Sequence, residues 1–165
     1  MKHFLLPALI FVFCVAVNAQ DKKFEYQDVC GDPRMESSIW LMVSGKVIKI
    51  IDGDSVIFKE SNGRKKTIDL VAINSSLSEA AAKDFLTRNV LDKKVEVSFS
   101  MSSLEKEKVW GEIRRNGREI NRLMIEQGIS SFQKPAPYSF SNYTTCVYRQ
   151  VEEKAKREKI GIWAK

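Results

Sequence analysis

The sequence predicts an α+β fold that is mainly β, a barrel of five strands packed by three helices. The first observation is a set of three short apolar or β-branched segments separated by tight-turn signals. The second is a helical segment followed by two further alternating segments, and the third is a pair of helical segments near the end of the chain. We find no internal repeat, so residues 40–165 are expected to form one domain.

The first three strands are predicted to form a meander. Residues 40–51 are mostly β-branched or large and apolar, and an Asp-Gly-Asp sequence at 52–54 interrupts them before 55–59 resume the pattern. An Asn-Gly pair at 62–63 favours a type I′ turn. The third strand is then expected over 66–73.

The next two strands are predicted to follow a helix. Behind a Ser76 or Ser78 cap, apolar residues recur at helical spacing and predict a helix of about four turns. Alternation over 95–99 predicts the fourth strand, and 108–115, ended by the Asn-Gly pair at 116–117, predict the fifth. The apolar positions of the helix are Ala81, Ala82, Phe85, Leu86 and Val90.

Two more helices are predicted after the fifth strand. A short amphipathic helix begins at Ile120 and is closed by Gly128. The last helix carries Val147, Val151 and Ala155 on one face and reaches about Lys159, after an exposed loop over 133–141. Five short strands with helices in this order fit an oligonucleotide/oligosaccharide-binding (OB) type barrel.

The N-terminus and the charge balance bear on where the protein acts. An apolar run over 4–17, followed by a Val-Asn-Ala sequence that ends at Ala19, predicts a signal peptide over 1–19 with cleavage after Ala19. The run is too short and too early for a membrane span, so we expect a secreted or otherwise extracytoplasmic protein without one. With 27 Lys and Arg against 21 Asp and Glu, the chain is basic.

Cleavage would also remove chemically important residues. The only histidine is His3, so the mature chain would have none, which excludes histidine-based triads and the usual zinc sites. Cys14 would leave as well, and Cys30 and Cys146 are predicted to form a disulfide, with two separate buried thiols as the alternative. Residues 20–39 are predicted to be an extended arm that is held to the domain through Cys30.

Three segments carry a family resemblance. The sequences VIKIIDGDSV at 47–56, NGREIN at 116–121 and KIGIW at 159–163 resemble the staphylococcal nuclease (thermonuclease-like) family, with a match from about Ser44 to Trp163. The resemblance implies an OB barrel with three helices. For active members it also implies cleavage of DNA and RNA phosphodiesters with a calcium ion.

The family's active-site pattern is altered in this chain. An active member uses two carboxylates for calcium, a glutamate that activates or orients water, and two arginines for the phosphate. Asp54 matches the first calcium carboxylate, but Asn74 stands at the second and Leu77 at the glutamate. Asp69 and Lys108 stand at the arginine positions. The resemblance therefore implies a degenerate, catalytically inactive site that requires no cofactor and binds calcium weakly through Asp54 and Asn74. The alternative is a weak calcium-dependent phosphodiesterase built on Asp54 and Lys108.

Clustered basic residues suggest what an inactive member would bind. They predict binding of single-stranded nucleic acid or another polyanion, and the aromatic residues Phe58 and Trp110 lie on nearby strands. The protein is expected to be a monomer. The alternative is that these charges are solvated and the aromatic residues belong to the core. A protein partner that binds through the arm is a further hypothesis. The basic candidates are Arg64, Lys65, Lys66, Lys108, Arg114, Arg115 and Arg118.

Two triplets match the N-glycosylation pattern. Asn74 and Asn142 are the candidate acceptors, and both matter only if the protein is exported by a eukaryotic cell. A glycan on Asn74 would stand at the altered metal position. The alternative is that both triplets are simply polar loops.

Overall fold

The computed structural model describes residues 26–31, 40–133 and 142–164. The predicted signal peptide over 1–19, most of the predicted arm and most of the predicted loop over 133–141 lie outside the described residues.

Five strands form a closed barrel. Antiparallel pairing gives the order β3-β2-β1-β5-β6, and a parallel pairing between β3 and β6 closes the ring. The mixed barrel confirms the predicted fold, although the parallel closure was not read from the sequence. The barrel strands are β1 (Trp40–Ile50), β2 (Ser55–Glu60), β3 (Lys65–Leu70), β5 (Lys94–Ser100) and β6 (Lys108–Arg115).

The predicted third strand over 66–73 is divided in two. Ala72 adopts a left-handed conformation with φ of 63°, so the ladder of β3 stops at Leu70. The chain then re-enters a short pairing in which β4 (Ile73–Asn74) lies antiparallel to β8 (Ser131–Phe132). A further two-residue strand, β7 (Arg118–Glu119), extends the sheet beyond β6.

The three predicted helices are present. They are α2 (Glu79–Asn89), α3 (Ile120–Glu126) and α4 (Asn142–Arg157). The first is about three turns rather than four, and Ser78 at its start donates its hydroxyl to the Ile129 carbonyl instead of capping the helix. Ala81 is exposed although it was expected on the apolar face. The predicted arm contains one helical turn, α1 (Gln27–Cys30), rather than being wholly extended.

The core fills the barrel and the space between the barrel and the helices. Strand alternation turns Val56, Phe58 and Ile68 inward, where none is exposed, and the same alternation turns their neighbours outward. Between the helices and the sheet lie Phe85 and Met124, both almost wholly buried. Outward positions on β2, β3 and β6 are therefore available to form a surface site.

Two glycines hold the C-terminal segment against the end of α3. Gly128 and Gly161 both adopt positive φ angles, 58° and 57°, and the Ile162 amide donates to the Gly128 carbonyl over 2.9 Å. A Cβ atom on either glycine would collide with the backbone around the other glycine. This glycine contact positions the 3₁₀ turn Gly161–Trp163.

A disulfide joins the arm to the last helix. Cys30 in α1 is bonded to Cys146 in α4, with Cα atoms 5.6 Å apart, so the predicted pairing is confirmed. The guanidinium of Arg122 also lies over the ring of Tyr26, 5.3 Å from its centre. Among the described residues, no helix has the length and apolar character that crossing a membrane requires.

Candidate nucleic-acid interface

A cleft of about 590 Å³ opens where β3 ends beside β6. Asp54 and Asp69 contribute carboxylates to it, and Lys108 and Trp110 contribute an ammonium and an indole. The apolar residues 70–73 also line it. These side chains are the ones that the sequence placed at or near the family's active site.

Strand pairing brings the cleft residues together. Asp69 lies opposite Ser55 on β2 and opposite Trp110 on β6, and its side chain is on the outer face because Ile68 and Leu70 point inward. The Asp54 carbonyl accepts the Leu70 amide over 2.6 Å, which fixes the 52–54 turn beside the end of β3.

Asp69 forms an ion pair with Lys108. Its Oδ2 atom lies 2.9 Å from Lys108 Nζ, and its Oδ1 atom accepts the Ser55 hydroxyl over 3.0 Å. The hydrogen bond and charge of Asp69 raise the pKa of Lys108 above its usual value, with smaller contributions from Asp52 and Asp54. Lys108 is therefore fully charged at neutral pH, but a phosphate that approaches it must compete with a carboxylate already in contact.

Asp54 is also engaged by neighbouring groups. Its Oδ2 atom accepts the Ser75 hydroxyl over 3.0 Å and the Ser75 amide over 3.4 Å. Burial raises the pKa of Asp54, the Ser75 hydroxyl opposes this, and the nearby Asp52 adds to it, so the net shift is upward. Burial also acts on Asp52, but hydrogen bonds from Asp54 and Ser55 outweigh it and lower the pKa of Asp52.

The donor set does not fit a resident calcium ion. A tight site needs six to eight oxygen ligands, several of them carboxylates. Asn74, predicted to complement Asp54, instead accepts the Ser76 amide through Oδ1 over 3.0 Å, and it is Ser75 that contacts Asp54. In the described part of the chain no three His, Cys, Asp or Glu side chains converge as a metal site would require.

The residue that the resemblance aligns with the family's glutamate is an exposed aliphatic one. Leu77 is 74% exposed, just before α2. Its side chain has no atom that can accept a proton from water or orient it. Trp110, by contrast, presents half of its surface at the edge of the cleft.

Comparison with known proteins gives a family assignment. Residues 76–165, more than half of the chain, match the family model described as staphylococcal nuclease homologue. The chain belongs to this family. The match confirms the resemblance derived from the motifs, and it begins after Asp54 and Asp69, in the part of the chain that contains α2 and the later elements. No curated protein matches the chain.

In this staphylococcal nuclease homologue, three lysines share the outer face of adjacent strands. Lys59 lies opposite Lys65 in the β2–β3 pairing, and both are exposed. Thr67, two residues after Lys65, lies opposite Lys108 in the β3–β6 pairing. We call Lys59, Lys65 and Lys108 the cationic strip. Lys59 was missed from the sequence, although its odd position in 55–59 already placed it on the face opposite Val56 and Phe58.

The prediction for Lys66 is wrong. Lys66 is 2% exposed because strand alternation turns it inward with Ile68. Its Nζ atom donates to the carbonyls of Leu104 and Lys106, each over 2.6 Å, and lies 5.4 Å from the centre of the Phe99 ring. This ammonium closes the end of the barrel and is not accessible to a polyanion.

Arg64 has a structural role beside the strip. Its guanidinium donates to the Leu104 carbonyl over 3.2 Å and lies 3.3 Å from Glu105. Its side chain is still 43% exposed. Arg64 therefore adds to the positive potential near Lys65 with part of its hydrogen-bonding capacity already used.

The other basic candidates lie at the opposite end of β6. Arg114 and Arg115 end this strand, and Arg118 lies opposite Arg115 across the hairpin. Arg114 lies six positions after Lys108, which corresponds to about 20 Å along a strand. The predicted basic residues thus form two separate groups instead of one continuous surface.

The two glycosylation candidates differ in accessibility. Asn142 is exposed at the first residue of α4. Asn74 is half-buried, and its side chain accepts the Ser76 amide. Modification of either residue stays a prediction.

Proposed function

We propose that this chain is a secreted staphylococcal nuclease homologue that binds nucleic acid without cleaving it. The observation that carries the proposal is the ion pair between Asp69 and Lys108, 2.9 Å apart, because the resemblance aligns these two residues with the phosphate-binding arginines of active members. The signal peptide predicted over 1–19 and the disulfide between Cys30 and Cys146 support export.

The absence of cleavage follows from the groups at the cleft. Phosphodiester hydrolysis needs cationic donors aimed at the charge that develops on the phosphate, and losing one such donor costs about 10²–10³ in rate. Here a carboxylate replaces one arginine, and the remaining Lys108 is a single ammonium without the bidentate fork of arginine. Leu77 supplies no base.

Binding depends mainly on the two lysines of the strip that lie outside the cleft. Lys59 and Lys65 are exposed on neighbouring strands, and the described structure places no carboxylate within ion-pair distance of either. A phosphodiester backbone that follows the strip would meet successive ammonium groups. The half-exposed ring of Trp110 lies next to Lys108 on the same face of β6 and offers a surface on which a base can stack.

The test is a titration of the exported, oxidised protein into end-labelled single-stranded DNA with calcium present. Fluorescence anisotropy is followed over time and at several salt concentrations. We expect binding that weakens with salt and a signal that does not decay. The strip variant Lys59→Gln/Lys65→Gln should reduce the slope of log K against log salt by about 1.4, because each phosphate contact with a single strand contributes about 0.7.

A charge-matched control separates the strip from net charge. The variant Lys83→Gln/Lys154→Gln removes two positive charges from helices α2 and α4 and should keep the original slope. Equal loss in both variants would contradict a role for the strip. A signal that decays with time, but stays constant with chelator or in Asp54→Ala, would instead establish a calcium-dependent phosphodiesterase. Absence of binding at moderate salt would favour a protein ligand.

A further inference from the structure

A second groove lies at the far end of β6 from the cleft. It measures about 280 Å³ and is formed by Lys94, Glu96, Arg114, Arg115 and the turn at 116–117. The cleft and the groove share no lining residue. The groove is therefore a separate site, and the proposed function does not use it.

Strand register brings the cations of the groove together. Glu96 on β5 lies opposite Arg114 on β6, and Lys94 begins β5 two residues earlier. Arg118 lies opposite Arg115 across the tight turn at 116–117. Three positive side chains, Lys94, Arg114 and Arg115, thus line the groove, and Glu96 is the one carboxylate among the residues that line it.

The guanidinium groups of Arg114 and Arg115 are held by neighbouring residues and still have N–H donors available for a ligand. Arg115 donates one guanidinium N–H to the Asn89 carbonyl at the end of α2 over 2.8 Å. Arg114 lies 3.9 Å from Glu119, whose other oxygen accepts the Tyr148 hydroxyl. Each guanidinium carries five N–H donors, so these contacts leave several of them unused. Fixed guanidinium forks of this kind match the oxygens of a phosphate group.

We propose that this groove is a second phosphate-binding site that holds the backbone of the same nucleic-acid strand that binds the cationic strip. The inference rests on the proposed function. The two sites are about 20 Å apart along β6. An OB-fold engages about 4–16 nucleotides, so a strand in the upper part of that range can contact both sites and one at the lower limit can contact only one.

The test uses amide chemical shifts of the isotope-labelled, oxidised protein. The amides of Asn116 and Gly117 report on the groove, and the amide of Thr67 reports on the strip. A thymidine oligomer of about 16 nucleotides should shift both sets with a single apparent Kd, and one of about 4 nucleotides should shift them with different, weaker constants. Inorganic phosphate should shift the groove amides more than chloride at equal ionic strength.

Variants identify the contact. In Lys94→Gln/Arg115→Gln, the groove amides should no longer respond while Thr67 still does. The salt slope for the longer oligomer should fall by about 1.4, and Lys83→Gln/Lys154→Gln should retain the original value.

The possible failures are distinguishable. If Thr67 shifts and the groove amides do not, the second site is overturned while the proposed function stands. If the groove amides shift with a Kd unrelated to that of Thr67 for the longer oligomer, the shared strand is overturned. If neither set shifts with any oligomer, both proposals fail.

Discussion

At the scale of single residues, Glu112 is the most unusual acid of the fold. It occupies an outward position on β6, between Trp110 and Arg114, yet it is 8% exposed. Burial raises the pKa of Glu112 to about 8, the neighbouring Glu119 adds to the shift, and Arg114 opposes it. Burial likewise raises the pKa of Tyr148, whose hydroxyl donates to Glu119. At neutral pH Glu112 therefore retains its proton in the folded state.

The protonation of Glu112 can be tested by measuring how the free energy of unfolding depends on pH. An unfolded glutamate has a pKa of about 4.5, so between pH 4.5 and about 8 the folded chain binds a proton that the unfolded chain lacks. The free energy of unfolding should therefore fall as pH rises through this window. Glu112→Gln should flatten this decline, as measured by urea unfolding at several pH values.

The exposed residue Glu126 provides the control for this experiment. Glu126→Gln should leave the decline between pH 4.5 and 8 as in the unmodified protein. An undiminished decline in Glu112→Gln would show that other groups cause it.

Side-chain identity was more predictable from the sequence than side-chain environment. Motif spacing placed Asp69, Leu77 and Lys108 at altered positions of the family pattern, and the structure brings Asp69 and Lys108 into contact. Lys66 was misjudged because its inward orientation depends on barrel register, which a hairpin signal alone does not define. The contact between Asp54 and Ser75 depends on loop geometry beyond the reach of sequence pattern.

At the scale of secondary-structure elements, predictions from local sequence patterns fail where tertiary contacts determine strand pairing or side-chain burial. Alternation located the strands, but Ala72 divides the third one because 73–74 pair with 131–132 rather than with the barrel. The i,i+4 spacing of Glu152 and Lys156 on α4 is typical of an exposed ion pair. The ion pair is present, but Glu152 is 7% exposed and also accepts the Phe132 amide over 2.7 Å, linking α4 to β8.

The glycine contact after α3 gives a prediction at this scale. Gly161→Ala should destabilise the protein because the new Cβ atom meets the backbone of 127–128 and because φ is 57°. Gly117→Ala is a matched control, since Gly117 has φ of 73° but open space around its Cα.

Both glycine variants carry the backbone penalty of about 1–2 kcal/mol. Gly161→Ala should cost a further 1–3 kcal/mol, roughly the cost of overpacking, as measured by urea unfolding. Equal losses would mean that the close approach at Gly161 relaxes without cost.

At the scale of the whole molecule, the described strands carry three regions that differ in charge. The cationic strip and the basic groove lie on the barrel surface, while Asp54 and Asp69 make the intervening cleft acidic around Lys108. Composition alone predicted a basic protein but not this separation, because the separation depends on strand order and register. A salt-dependent affinity is expected from the two basic regions and not from the cleft.

The disulfide gives the prediction at this largest scale. Cys30 and Cys146 are 116 residues apart, and cross-linking a loop of that length is worth about 4–5 kcal/mol in the chain-entropy model. The variant Cys30→Ser/Cys146→Ser should therefore lose about that much free energy of unfolding. The measurement is urea unfolding of the variant and of the oxidised, unmodified protein. A loss below about 1 kcal/mol would show that the unfolded chain is compact without the bond.

The same bond makes most of the chain a covalent ring. Every peptide bond between Cys30 and Cys146 lies inside it, including those of all five barrel strands. A protease that cuts this ring once would produce two polypeptides that remain one molecule. The nicked protein would migrate as a single species on a non-reducing gel and separate into two only when a thiol is added.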